Sequence, residues 1–230
     1  MPQTVFVLAD SALELIPQNI VYTDLVKKTA KKRGKSPHSM ILDSSYHHRA
    51  MTKIKDSSKR GRPDIVHFSL LNLLGTPLIK KNPDEIRILI HTYNDTIIEI
   101  NPETRIPKHY PRFIGLMEQL LTKGEIRNKD ELLMRIIENS SISELLKDFP
   151  ENQRFLLSHS GESIELESYF KRKSNQNLCA IIGCFSHGNF SKGIEELTTN
   201  KISISNQHLE AWTVFARIVF LRELSLLSSK

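Results

Sequence analysis

The chain has 230 residues, of which 39% are hydrophobic and 25% are charged, so it is long enough to bury one sizeable core. Lysine and arginine outnumber acidic residues 32 to 26, and the formal net charge of +6 favours a polyanionic partner without identifying it. Apolar runs fall short of the ~20 residues that a membrane-spanning helix needs, and the N-terminus has no secretory signal pattern, so we expect a soluble, cytoplasmic protein.

The first predicted elements indicate an α/β fold. Residues 4–9 form an uninterrupted apolar run, which is typical of a strand covered on both faces in a parallel or mixed sheet. A helix is predicted after the cap residue Thr23, and its basic last turn is stopped by Gly34. Residues 40–42 form a second short apolar strand, and Asp43 ends it where α/β folds place functional loops.

The middle of the chain combines helices with a hairpin. Pro63 and Gly75 bound a predicted helix whose apolar residues recur at helical spacing over residues 65–74. Two apolar runs that flank residues 93–96 predict an inserted β-hairpin, which interrupts simple βαβ winding. Further helices are predicted at residues 112–122, 130–139 and 141–147.

The C-terminal part contains the most apolar strand and a broadly apolar helix. Residues 178–183 predict the strand, and residues 207–227 predict the helix. A helix that is apolar on nearly two faces must be covered by its own domain or by a second subunit. We expect Trp212, Phe215 and Val219 to pack against a second copy of the chain, and packing on its own sheet is the alternative.

Cysteine and histidine spacings predict no metal site. Cys179 and Cys184 flank an apolar run at a spacing that suits buried thiols better than a zinc knuckle or a disulfide framework. His47, His48 and His91 form none of the usual metal-binding spacings.

Two proline-containing basic segments point to RNA contacts. In the first, residues 59–64, Asp64 can hold the Arg62 guanidinium in a planar fork suited to a phosphate or a base edge. The alternative is a helix-cap aspartate with incidental basic neighbours. The second, residues 101–113, contains three prolines and a cationic ridge, with aromatic side chains available to stack on a base: Arg105, Lys108, Arg112, Tyr110 and Phe113. A structural crossover with solvated cations is the alternative there.

Two turns near the C-terminus predict a cofactor pocket. Gly183 and Gly188 follow the most apolar strand, where glycines let the backbone approach a ligand closely. Residues 202–206 form a second short strand that leads into the last helix and offers free amides beside it. The glycines lack the spacing of a dinucleotide site, so we expect another nucleoside-bearing cofactor.

Five segments, in order along nearly the whole chain, resemble the nucleolar essential protein (essential for mitotic growth) family. They are residues 42–48 (LDSSYHH), 62–67 (RPDIVH), 100–107 (INPETRIP), 112–117 (RFIGLM) and 204–206 (ISN). The resemblance implies a SPOUT-type α/β fold with a parallel-rich sheet and a C-terminal trefoil knot, in one domain spanning residues 1–230. It further implies a basic insertion around residues 43–112 and a knotted cofactor-binding region around residues 153–230.

The resemblance also implies the activity. A homodimer would use S-adenosylmethionine to methylate N1 of a pseudouridine in small-subunit rRNA, during ribosome biogenesis. The knot loops would bind the cofactor through Gly183, Gly188, Ile204, Ser205, Asn206, Gln207, His208 and Leu209, with Ser160 and Gly161 in a third, loosely matching loop. The RNA-contacting cations would be Arg62, Arg105, Lys108 and Arg112.

Two departures from the family pattern affect these contacts. Lys108 stands where relatives commonly have arginine, so it keeps the charge but loses the bidentate fork. Gln207-His208 replaces a frequent Tyr-Pro, which leaves cofactor contacts there to backbone atoms.

Alignment of the two reactants should dominate catalysis, because the methyl group of the cofactor is already activated. Asp43 and Asp64 are the nearby carboxylates that could accept the N1 proton, although Asp64 is expected to be occupied by Arg62. The alternative function is an RNA-binding ribosome assembly factor whose methylation is dispensable.

Overall fold

The computed structural model describes residues 1–227, and in this range eight strands form one mixed sheet. The strands are β1 (Thr4–Ser11), β2 (Ile86–Thr92), β3 (Ile97–Ile100), β4 (Glu125–Asn128), β5 (Glu131–Ile137), β6 (Arg154–Ser163), β7 (Leu178–Gly183) and β8 (Lys201–Ser203). The α-helices are α1 (Asp24–Arg33), α2 (Ser44–Met51), α3 (Pro63–Leu74), α4 (Pro77–Lys81), α5 (Tyr110–Lys123), α6 (Ile142–Leu145), α7 (Leu166–Arg172), α8 (Lys192–Glu195) and α9 (Ala211–Leu227).

The sheet has the order β4-β5-β3-β2-β1-β7-β6-β8. From β2 to β8 every neighbouring pair is parallel, whereas β3, β5 and β4 add antiparallel pairs beyond β2. All eight residues of β1 are buried, as expected for a central strand covered on both faces. This arrangement confirms the α/β class and the parallel-rich sheet.

Side chains that alternate along β1 build the core on the two faces of the sheet. Phe6 and Leu8 belong to the larger apolar cluster, which includes residues of α3, α5 and α9. Val5 and Val7 belong to a second cluster that contains residues of α6 and α8. Both faces of the central strands are therefore dry, which explains why their sequences read as continuous apolar runs.

The cysteines are buried thiols, as predicted. Burial raises the pKa of both Cys179 and Cys184 to about 12, so both stay protonated at neutral pH. Within residues 1–227, no cluster of three or more His, Cys, Asp or Glu side chains is arranged to hold a metal ion. Over the same residues, no helix has the length and apolar character needed to cross a membrane.

The structure corrects several predicted elements. Residues 130–139 do not form a helix, because residues 131–137 pair as β5 with β3 and β4. Residues 40–42 make only an isolated bridge, Leu15 with Ile41, after a 3-10 turn over Pro37–Ser39. Strand β6 was not predicted, and the last helix begins at Ala211 rather than residue 207.

The ends of α1 agree with the prediction only at the C-terminus. Gly34 adopts the left-handed conformation and its amide donates to carbonyls of the last turn, as expected of a helix stop. The hydroxyl of Thr23 donates to the Ile20 carbonyl instead of accepting from the first turn. The predicted side-chain cap at Thr23 is therefore wrong.

Helix α9 packs on its own chain, against the prediction. Phe215 and Val219 are fully buried in the larger apolar cluster, and Trp212 is partly buried with its ring centre 5.2 Å from that of Phe68 on α3. The prediction that Phe215 and Val219 lie on an intersubunit surface is wrong, because α9 covers the sheet with them. The trefoil knot and the division into one domain with a basic insertion stay predictions, and residues 228–230 lie outside the described part.

Candidate active site

A cavity of about 330 Å³ opens where three parallel strands end. Strands β6, β7 and β8 run parallel, so residues 158–160 of β6, beyond its pairing with β7, meet the loops that follow β7 and β8 at one edge of the sheet, where α/β folds bind ligands. The start of α9 closes the cavity through Ala211 and Val214. Eight residues predicted for the cofactor loops line it: Gly183, Gly188, Ile204, Ser205, Gln207, His208, Leu209 and Ser160.

Two residues predicted near the cofactor lie beside the cavity. The Asn206 carbonyl is 3.3 Å from Nε2 of His159. Gly161 packs against the backbone of β8, where a Cβ atom would lie 2.6 Å from the carbonyl carbon of Ile202. Both residues therefore support the loops that form the cavity walls.

The lining fits an adenosine-bearing cofactor. Ile182, Ile202, Leu209 and Val214 provide apolar surface of the kind that packs on a flat base. His208 stacks on His159 with ring centres 4.2 Å apart, which adds an aromatic wall with polar edges. Apolar walls with a few polar groups are typical of sites for nucleoside-containing ligands.

Sequence reasoning missed one wall of the cavity. Ser158 and His159 line it from the middle of β6, a strand that was not predicted. The apolar run at residues 155–157 was the signal that could have identified this strand. Phe190 was also missed, and its ring, like that of Phe185, lies where a side chain at Gly183 would have to be.

The Arg62–Asp64 pair forms as predicted. Nε of Arg62 lies 2.8 Å from one carboxylate oxygen of Asp64, and its Nη2 lies 2.7 Å from the other. The Arg62 side chain remains 37% exposed, so the fixed guanidinium can still contact a ligand. Asp64 follows Pro63 in the first turn of α3, where an acidic residue also suits the helix dipole.

The first basic segment lies next to the cavity, because the Lys59 ammonium donates to the carbonyl of Asn189 in the cavity wall at 2.8 Å. The hydrogen-bonded carboxylate of Asp64 raises the pKa of Arg62, and the negative charge of Glu210 adds to that shift. Glu210 directly follows Leu209, which lines the cavity. The first basic segment is thus brought beside the predicted cofactor site.

Hydrogen bonds to other parts of the chain anchor the second basic segment. The hydroxyl of buried Thr104 donates to the Leu133 carbonyl at 2.9 Å. Nε2 of His67 donates to the Pro107 carbonyl at 2.7 Å, and burial lowers the pKa of His67, which keeps the ring neutral at neutral pH. These bonds fix the backbone of the loop between β3 and α5.

The cations of this loop point away from the core. Arg105, Lys108 and Arg112 are exposed, and among residues 1–227 no acidic side chain forms an ion pair with any of them. A rigid loop with unpaired cations is suited to bind phosphates, because little side-chain or backbone order has to be gained on binding.

The aromatic residues of the loop are used inside the protein. Phe113 is fully buried and stacks on His67 with ring centres 4.3 Å apart, so the prediction that it stacks on a base is wrong. Tyr110 is half-buried, and its hydroxyl donates to Oδ2 of Asp43 at 2.7 Å. Burial and the neighbouring Asp43 carboxylate raise the pKa of Tyr110 far above its ordinary value, so it stays a hydrogen-bond donor.

Both carboxylates predicted as proton acceptors already accept hydrogen bonds from neighbouring groups. Asp43 is buried, begins α2 by accepting from the Ser45 amide at 2.8 Å, and uses its other oxygen for Tyr110. Asp64 is bound to Arg62 in the bidentate pair. Neither aspartate lines the cavity, and a role for either one in proton transfer stays a prediction.

Comparisons with known proteins identify the family of this chain. The model of the family described as "EMG1/NEP1 methyltransferase" matches residues 6–223. The chain is 42% identical to "Ribosomal RNA small subunit methyltransferase Nep1" of Staphylothermus marinus, over 93% of this chain and 92% of the relative. The same-named protein of Saccharolobus solfataricus is 43% identical, over 92% and 93%.

A solved structure of a member of this family has the same fold. The chain superposes on the crystal structure of Archaeoglobus fulgidus Nep1 bound to S-adenosylhomocysteine with a TM-score of 0.86, 32% identity and 99% coverage of both chains. Together, the family match over nearly the whole sequence and these relatives show that the chain belongs to the EMG1/NEP1 methyltransferase family.

Proposed function

We propose that this chain is an S-adenosylmethionine-dependent methyltransferase of small-subunit rRNA and that it methylates N1 of a pseudouridine. The observation that carries the proposal is the contact of the first basic segment with the cavity wall: Lys59, three residues before Arg62, donates to the carbonyl of Asn189, which lines the cavity. Relatives named as small-subunit rRNA methyltransferases, and one bound to S-adenosylhomocysteine, support the activity. Base specificity rests on the resemblance noted in the sequence.

The residues of this chain contribute by binding the cofactor and the RNA and by aligning the two for methyl transfer. When bound, S-adenosylmethionine supplies a methyl group that is already activated for transfer. Residues 158–160 of β6 and the loops after β7 and β8 would hold the cofactor, and Arg62, fixed by Asp64, would orient the RNA strand beside the cavity. The target base must leave its stack to reach the cavity, as in other enzymes that modify bases.

Methyl transfer from labelled cofactor to RNA hairpins tests this function directly. Two hairpins would differ only in carrying uridine or pseudouridine at the same loop position. We expect label in the pseudouridine hairpin alone, because uridine offers no N1–H. Equal labelling of both hairpins would contradict the specificity, and labelling of neither would contradict the activity.

A second role is favoured by the second basic segment. Arg105, Lys108 and Arg112 are not among the residues that line the cavity, so they can hold rRNA whether or not a methyl group is transferred. The chain could therefore also act as an RNA-binding assembly factor. Small-subunit assembly that survives with a transfer-deficient, RNA-binding variant would assign the essential role to binding. We also propose a cytoplasmic location, where the chain would meet this RNA.

Replacement of Arg62 or Arg105 by alanine should weaken RNA binding by about 10- to 100-fold, because each removes a charge-assisted contact worth about 1.5–3 kcal/mol. The affinity for S-adenosylhomocysteine should stay unchanged. Fluorescence anisotropy with a labelled RNA hairpin and calorimetry with the cofactor product measure the two affinities. Arg127→Ala, at an exposed arginine outside both basic segments, is the control. A parallel loss of cofactor affinity would mean that these arginines support the fold instead.

We also propose that the protein is a homodimer, through a face different from the one predicted. Phe68 on α3 and Phe220 and Leu227 on α9 are 45%, 58% and 58% exposed, respectively. Helices α3 and α9 pack against each other, so these side chains lie on adjoining helices. An exposed apolar surface of this kind is typical of an interface, and a two-fold axis would let it pair with itself.

The Phe220→Glu substitution should convert the dimer into a folded monomer, because it places a charge in the proposed apolar interface. Light scattering coupled to size exclusion gives the mass, and circular dichroism checks the fold. Gln119→Glu, at an exposed position of α5, is the matched control and should leave the dimer intact. An unchanged dimeric mass for Phe220→Glu would exclude this face.

A further inference from the structure

Lys59 joins the first basic segment to the loop that follows β7. Its ammonium donates to Oδ2 of Asp10 and to the Asn189 carbonyl, both at 2.8 Å, and lies 4.4 Å from the ring centre of Phe185. The side chain is only 12% exposed. Phe185 and Asn189 both line the cofactor cavity, so one lysine holds two points of its wall.

Further bonds tie the same loop, residues 184–191, which we call the cofactor loop, to its surroundings. The Ser186 hydroxyl donates to the Ser58 carbonyl at 2.6 Å. The Ser191 hydroxyl donates to Oδ1 of Asp10 at 2.8 Å, and the Ser191 amide donates to Oδ2 of the same aspartate. Asp10 and the chain around Lys59 thus hold the cofactor loop near its start, middle and end.

Asp10 is an unusual anchor for these contacts. It is buried at the end of β1, and its backbone adopts a positive φ of 48°, which is strained for a residue with a side chain. Burial raises its pKa, but hydrogen bonds from His91, Lys59 and Ser191 outweigh that effect and bring the pKa well below its ordinary value. Asp10 is therefore ionised when it pairs with Lys59.

The chain between Lys59 and Arg62 has little freedom to move. Arg60 makes a bidentate pair with buried Glu14, at 2.7 and 2.6 Å. The Gly61 carbonyl accepts from the Ser44 amide at 2.8 Å, and Gly61 has a φ of 67°. Arg62 and Lys59 are therefore held at a fixed spacing on one anchored segment, three residues apart.

We propose that Lys59 is a positioning residue that couples RNA binding at Arg62 to the order of the cofactor loop, with Asp10 as its anchor. The inference rests on the proposed function. RNA held at Arg62 fixes the segment that carries Lys59, and Lys59 in turn fixes Phe185 and Asn189 in the cavity wall. Coupling between two binding sites is reciprocal, so bound cofactor strengthens RNA binding by the same factor.

The coupling is measured as a ratio of two dissociation constants. Calorimetry gives the Kd of S-adenosylhomocysteine without RNA and with a saturating pseudouridine hairpin, and the ratio of the two is the coupling factor. For the wild type we expect RNA to tighten cofactor binding by about fivefold or more. Lys59→Met should bring the ratio to about one, because the side chain keeps its length but loses both donated bonds.

Matched variants separate coupling from simple structural support. Lys59→Arg keeps the charge and should retain part of the coupling. Lys192→Met removes a lysine next to the same loop whose ammonium is exposed and pairs with Glu196, so it should keep the wild-type ratio. Ser186→Ala removes the other bond between the two segments at a half-buried position, and should lower the ratio even if Lys59→Met fails to fold.

The outcomes that overturn the proposal are distinct. If Lys59→Met or Ser186→Ala lowers the melting temperature while the ratio stays at the wild-type value, the residue is only structural. If the wild type binds both ligands with a ratio of one, no coupling exists and the proposed function stands alone. If the wild type fails to bind S-adenosylhomocysteine or RNA, both the proposed function and this inference fall.

Discussion

Replacing Arg222 by methionine is expected to lower the free energy of unfolding by about 3–5 kcal/mol. Arg222 is a fully buried side chain of α9 that donates to the Thr4 hydroxyl at 3.0 Å and to the Lys173 and Gln176 carbonyls at 3.1 and 2.8 Å. Methionine fills similar space but donates nothing, so these acceptors would be left without their partner. Each buried acceptor left unsatisfied costs about 1–3 kcal/mol.

The expected loss is a large part of the ~5–15 kcal/mol that stabilises a typical domain. Burial lowers the pKa of Arg222 to about 10, which is still well above neutral pH, so the guanidinium keeps all its donors under ordinary conditions. Urea unfolding at pH 7 measures the effect. Arg217→Met, on the exposed side of the same helix, should change stability by less than about 0.5 kcal/mol. A loss below 1 kcal/mol for Arg222→Met would show that the carbonyls find other donors.

Gly161→Ala is expected to weaken the binding of S-adenosylhomocysteine by more than about tenfold. A Cβ atom at this position would lie 2.6 to 2.7 Å from backbone atoms of Ile202 and Lys201, which cannot move aside as a flexible side chain can. Strand β6 would be pushed from β8, at a cost of about 1–3 kcal/mol or more. Both strands lead into walls of the cavity, so the strain appears in cofactor affinity as well as in stability.

Calorimetry with S-adenosylhomocysteine measures this effect, and a thermal melt shows how much of the strain reaches the fold. Gly193→Ala is the matched control, since a Cβ atom there meets no other atom within 4 Å and the position lies in α8. That change should leave cofactor affinity as it is and stabilise α8 slightly. Wild-type affinity in Gly161→Ala would mean that the two strands separate without disturbing the cavity.

Local sequence patterns predicted the structure correctly where burial or a stiff backbone allowed only one conformation. The apolar run at residues 4–9 predicted a central strand because only a strand covered on both faces needs so uniform a sequence. Pro63 and Gly75 bounded α3, since proline fits a first turn and glycine follows a last one. The Arg62–Asp64 pair was predictable for the same reason, because its partners are two residues apart on a stiff segment.

Much of the cavity was also predictable from the sequence. Two glycines follow β7, and a short apolar run indicates β8. Most of the cofactor-binding residues that the family resemblance implied line the cavity. The wall formed by β6 was missed because its apolar run spans only residues 155–157 and the strand then continues through polar residues. A strand half of which is exposed gives a weak pattern, and its neighbours supply the missing information.

The sequence could not distinguish a helix from a strand at residues 131–137. The apolar pairs at residues 132–133 and 136–137 satisfy a helical spacing as well as a strand, and hydrogen bonds to β3 and β4 settle the matter. The two faces of α9 could not be ranked from sequence either. Both are apolar, and which one is buried depends on where α3 and the sheet lie.

The contacts around Lys59 could not be predicted from the sequence at all. Asp10, Lys59 and Ser191 are separated by 49 and 132 positions along the chain, and nothing in their local sequences relates them. The parallel order of β1 and β7 brings Asp10 to the loop that ends at Ser191, and the fold then places Lys59 between them. The fold class, the strongest elements and the basic segments could be predicted from sequence alone, because they depend on residues that are neighbours in the chain. The geometry that joins the proposed RNA and cofactor sites depends instead on side chains that are distant in sequence and that the order of the strands brings together.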